Sequence, residues 1–143
     1  MKNFFIIAIA VFMFIPHSCN KTVYYWEFEY DYSQVAEISI VEANGPRNYE
    51  VFKNLDLTLS KELMEKIEAI EFKKYGSNPY TVSGLCFLIE YQNGDYDIIS
   101  HKEPMHCKLI DGEIEARFSW YRCDEESFNE LINEYVDKER CCG

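Results

Sequence analysis

The chain has 143 residues and is 48% hydrophobic, 16% aromatic and 27% charged, which excludes an intrinsically disordered polymer and suits one domain. Its 14 Lys and Arg stand against 25 Asp and Glu, a formal charge of −11, so the surface as a whole repels phosphate and nucleic acid is not an expected partner. No apolar run reaches the ~20 residues of a spanning helix, which excludes a polytopic membrane protein.

Met1 and Lys2 precede an apolar run over residues 4–15, and Pro16-His17-Ser18 ends it directly before Cys19. A short positive start and an apolar stretch too short to span a bilayer suit a cleaved export signal. On Ser18 and Cys19 this segment resembles a bacterial lipoprotein signal, with Pro16 where an aliphatic residue is usual. The resemblance is confined to the N-terminus. It implies that residues 1–18 are a signal peptide and that Cys19 is acylated. It also implies an exported protein, lipid-anchored to a bacterial membrane in the cell envelope. Acyl chains contribute ~0.8 kcal/mol per buried CH₂, enough for several chains to hold a domain in place. An acidic domain has no attraction of its own for anionic head groups, and the sequence shows no basic patch to provide one.

Residues 22–31 read as a strand, with Tyr24, Trp26, Phe28 and Tyr30 on one face. Residues 35–41 alternate again, Asn44-Gly45-Pro46 marks a turn, and residues 49–55 form a third strand. Ser60 is the expected N-cap of a helix over 61–72, with Leu63, Ile67 and Ile70 as its apolar stripe and Lys73-Lys74 at its positive end. Residues 75–83, with Gly76 and Asn78-Pro79, read as a loop. Then follows a four-stranded meander. Leu85 to Tyr91 alternates, Asn93-Gly94 turns, residues 96–100 and 105–110 return, and Asp111-Gly112 leads to a strand with Ile114, Ala116, Phe118 and Trp120 on one face. Asp124 caps a last helix carrying Phe128, Leu131, Ile132 and Tyr135. The order βββ-α-ββββ-α predicts an α+β fold. A mainly antiparallel sheet should carry both amphipathic helices on one face. Residues 19–143 are expected to form this single domain, with a short N-terminal tether and a frayed tail over 139–143.

Chemistry is sparsely signalled. An exported domain permits disulfides, and one bridge among Cys86, Cys107 and Cys123 is a candidate, with small buried hydrophobes as the alternative. His101, His106 and Cys107 lie close in sequence, but neighbours on a strand point to opposite faces, so no metal site is expected. Cys86 with His101 across a hairpin is the remaining nucleophile pair, and it lacks the cationic surroundings that make a thiolate. The carboxylate pairs Glu27/Glu29 and Asp95/Asp97 each share a strand face, at a spacing that a glycosidase could use but that solvated strands also show. No phosphate-cradling, dinucleotide or hydrolase motif occurs, and no cofactor is expected.

Six aromatics crowd residues 24–32. Tyr25 and Tyr32 fall among Glu27, Glu29 and Asp31, a composition suited to recognition. Tyr75 and Tyr80 in the following loop extend this candidate partner surface. The expected function is therefore a membrane-anchored binding module, not an enzyme, whose partner is a protein and a basic one by charge complementarity. An inhibitor or immunity-type protein is its concrete form. A small exported hydrolase using Cys86 or a carboxylate pair, and a structural envelope lipoprotein, are the alternatives.

Overall fold

Alternating apolar positions become a six-stranded antiparallel sheet. The computed structural model describes residues 23–74 and 82–138. Cys19, Tyr75, Tyr80, the tether and the 139–143 tail lie outside them. Strands β2 (Val35–Asn44), β3 (Tyr49–Leu55), β5 (Ser83–Tyr91), β6 (Tyr96–Ile99), β7 (Met105–Ile110) and β8 (Glu113–Phe118) assemble in the order β3-β2-β5-β6-β7-β8. A second, three-stranded antiparallel sheet joins β1 (Val23–Tyr24), β4 (Phe72–Lys74) and β9 (Tyr121–Arg122) in the order β1-β4-β9. Helices α1 (Ser60–Glu68) and α2 (Glu125–Asp137) complete an α+β fold that is mostly strand.

Both helices pack on the face of the large sheet that carries Ile38, Ile40, Phe87, Ile89, Tyr91 and Ile99. Leu63, Met64 and Ile67 of α1 and Phe128, Ile132 and Tyr135 of α2 are buried there. Phe87 receives the edges of Phe128 and Tyr135 at 5.9 and 6.0 Å between ring centroids. Asp124 caps α2 as its sequence indicates, accepting from the Ser127 N–H at 2.9 Å. At α1 the expected cap shifts. Asp56 accepts from the Thr58 N–H and starts a 3-10 turn over Leu57–Leu59 that runs straight into the helix, so Ser60 lies inside it and is buried. The helix also stops at Glu68, because Phe72 enters the core as part of β4 instead of extending the helical stripe.

The opposite face holds a second core of Val41, Ala43, Cys86, Leu88, Ile98, Met105 and Cys107. Among the described residues no helix covers it, and curvature of the sheet closes over it instead. The Tyr49 and Tyr96 rings lie 6.3 Å apart, although β3 and β6 are three strand spacings apart, about 14 Å in a flat sheet. The Tyr96 hydroxyl donates to the Pro46 carbonyl at 2.8 Å, and Arg47 reaches the Ile114 carbonyl on β8. The β2–β3 hairpin end thus folds over the concave side.

Residues 25–31 keep the expected period of two, with Trp26 buried, Phe28 and Tyr30 half-buried and the odd positions exposed. Only Val23–Tyr24 joins a ladder, however. The rest is a strap laid across β6 to β8 and held by side chains. Trp120 also departs from the expected strand face. With φ 59° and 40% exposure, it turns the chain between β8 and β9.

Candidate functional site

Three polar regions surround this scaffold. The first lies beneath the strap. The register places Ile89, Asp97, His106 and Arg117 directly opposite one another on four successive strands. Asp97 is 2% exposed, and its carboxylate accepts from the Tyr91 hydroxyl at 2.7 Å and meets His106 Nδ1 at 2.7 Å. Trp26 stacks on the imidazole at 4.2 Å. Burial raises the Tyr91 phenol, and the Asp97 charge adds to the rise, so it remains a donor. This cluster was not legible in the sequence, where His106 stands beside His101 and Cys107 with no metal site expected and nothing ties it to Asp97. Its members come from four separate segments.

The second region is the strap's outer side, which contains the expected partner surface. Tyr25 and Tyr32 are each 47% exposed. Glu29 pairs with Lys108 at 2.9 Å and also with Arg117, so part of its charge is neutralised within the molecule. Asp31 accepts from the Ser33 N–H and caps a 3-10 turn over Tyr32–Gln34. Between the strap and α1 lies a groove of about 320 Å³ that brings Glu65 and Glu68 beside Asp31 and Tyr32. Lys61 also lines it, 5.4 Å from the Tyr32 ring centroid. Tyr25 stands apart, donating to Glu71 at 3.3 Å.

The third region is a cleft of about 940 Å³ between the small sheet and the start of α2. Lys73, Lys74, Lys102 and Arg122 line it. Glu71, Asp124 and Glu125 line it as well. The four cations come from three segments and meet only because β4, β9 and residue 102 are neighbours.

The three described cysteines form no bridge with one another. Cys86, Cys107 and Cys123 are free thiols. Cys86 and Cys107 share the concave core but sit on β5 and β7, two strand spacings apart. That is about 9.5 Å, beyond the ~7 Å between Cα atoms that a disulfide tolerates. Cys123 packs against the other core. Burial pushes all three thiols up to about 12. Cys86 and His101 do not meet either, because His101 lies near Phe128 on the helix side and Cys86 faces the concave side. Asp95 and Asp97 spend their oxygens on Tyr30, the Leu109 N–H, Tyr91 and His106. Among the described residues no group of His, Cys, Asp and Glu is arranged to hold a metal.

Comparison with protein families, curated proteins and solved structures returns no match.

Proposed function

We propose that the protein is an exported, lipid-anchored binding module that captures a basic protein through the groove between the strap and α1. An inhibitor or immunity-type role is the concrete form of that reading. The observation that carries it is the convergence of Asp31, Glu65 and Glu68 around the exposed Tyr32. Two of those carboxylates come from a helix remote in sequence, so folding concentrates negative charge next to an aromatic anchor. Such a groove accelerates encounter with a cationic surface, and the Tyr ring supplies contact area at low entropic cost.

Two measurements test it. Mass spectrometry of the mature protein should find an acylated N-terminus at Cys19; a product still beginning at Met1 would remove the anchor. The protein should then be captured intact from the native envelope with its partner. Glu65→Lys combined with Glu68→Lys should slow association with that partner about tenfold at low salt, with little change at high salt. An association rate that ignores both the reversal and the salt would rule out this groove as the docking site.

A further inference from the structure

Three polar atoms near the strap have no hydrogen-bond partner among the described residues. Trp26 is 1% exposed, and its indole Nε1 is buried without an acceptor. The Ser119 hydroxyl, just past the end of β8, is buried and unpaired as well. His106 supplies the third. Asp97 takes its Nδ1, and its Nε2 makes no hydrogen bond among the described residues. Register explains where that nitrogen points. Asp97 lies opposite His106 on β6 and Arg117 opposite it on β8. Holding Nδ1 from the β6 side therefore turns Nε2 toward β8.

Trp26, His106 and Ser119 all line one cavity of about 480 Å³ between the strap and the end of β8. A buried polar group left unpaired costs stability, and few survive in folded proteins. Two such atoms and a free imidazole nitrogen around one cavity point to a ligand that completes them. Their chemistry narrows its class. An indole N–H only donates, so the ligand must accept, which excludes ammonium and guanidinium groups. Glu27 and Glu29 line the cavity, and the Arg117 guanidinium beside them is already held by Glu29. An anion would meet carboxylates and no free cation, so a neutral ligand remains. The Ser119 hydroxyl donates or accepts, and Nε2 accepts in the neutral ring and donates in the charged one. A ligand hydroxyl answers either state, whereas each amide atom has one fixed role. Tyr24 and Phe28 add aromatic walls suited to an apolar ring face.

We infer that this cavity binds a neutral sugar, a pyranose with hydroxyls around its edge and C–H groups on its face. One hydroxyl accepts from Trp26 Nε1, and others meet His106 Nε2 and the Ser119 hydroxyl. This goes beyond the capture of a basic protein. Asp31, Tyr32, Glu65 and Glu68 line the groove and not this cavity, so either reading can fail alone.

Saturation-transfer NMR on the intact chain tests the inference, with methyl β-glucoside, methyl β-galactoside and methyl β-N-acetylglucosaminide as probes. At least one should receive saturation and titrate to a single site. Methyl β-glucuronide adds a carboxylate, and sorbitol keeps the hydroxyls without the ring. Both should bind more weakly than the best of the three. Ser119→Ala should weaken that binding about fivefold, by one lost hydrogen bond. Trp26→Phe, which keeps an aromatic ring over the imidazole and removes the N–H, should do the same. Ser119 is a half-buried position outside the core, so its variant keeps the test valid if Trp26→Phe fails to fold. A β-1,4-linked disaccharide of the best ring is the last probe. Tighter binding assigns the end of a glycan, and equal or weaker binding assigns a free monosaccharide; both support the site. No saturation of any pyranoside would overturn the inference. So would a glucuronide or sorbitol that binds equally well, or a Ser119→Ala chain with parental affinity.

Discussion

Asp97 is a buried carboxylate with both oxygens in use. It is 2% exposed and satisfied by a phenol and an imidazole, so the pair with His106 is held in a medium that penalises either partner alone. Breaking such a buried pair from one side costs about 3–5 kcal/mol, because the other group remains buried and uncompensated. His106→Ala should lose about that much in urea unfolding, and Asp97→Ala should lose a similar amount. A double variant losing no more than either single one would show that the two act as a unit. Cys86 and Cys107 behave differently. Each is buried, and burial keeps its thiol protonated well above neutrality. At pH 8 their peptides should resist alkylation in the folded protein and label fully after denaturation, as read by mass spectrometry.

At the scale of elements, the two helices are clasped across their exposed side. Lys66 and Lys138 bridge Glu62 and Glu134 at 2.6–3.1 Å, and both ammonium groups lie over the Tyr135 ring. Hydrogen bonds from Lys138, then Lys66, hold the Glu62 carboxyl down to about 2 from an ordinary 4.5. A depressed carboxyl stabilises the fold above its ordinary value, and that contribution is lost as pH falls from about 4.5 through about 2. The fall in melting temperature over this window should be shallower in Glu62→Gln, and added salt should shrink the difference, since these groups face solvent. Beneath the clasp, Phe128→Ala should cost about 3–5 kcal/mol in urea unfolding, because it vacates the space between α2 and Phe87. These helices and the large sheet were readable in advance, because period, cap and stripe agree within each stretch of chain. Strands β4 and β9 were not. Two or three residues carry no periodicity, and their pairing is set by neighbours far away in sequence. The strap misled for the opposite reason. Its alternation is real, but it records contact with a sheet surface rather than membership of the sheet.

For the whole molecule, the net charge of −11 describes the far field and not the local one. Taken whole the body is negative, whereas one cleft gathers Lys73, Lys74, Lys102 and Arg122 beside Glu71, Asp124 and Glu125. Composition therefore gives the sum of the charges and not their placement, since that cleft is assembled from positions 73, 102 and 122. The strap has one more consequence. It enters the fold through a two-residue ladder and then holds on by Trp26 over His106, Tyr30 on Asp95 and Glu29 on Lys108. Under the proposed anchoring at Cys19, tension from upstream of Val23 would reach these contacts one after another, as tape peels from a wall. The strand ladders of the six-stranded sheet would not begin to unzip until the last of them has parted. Pulling would uncover the imidazole and its buried carboxylate while the rest of the molecule stayed folded, so the strap is the fold's mechanical fuse.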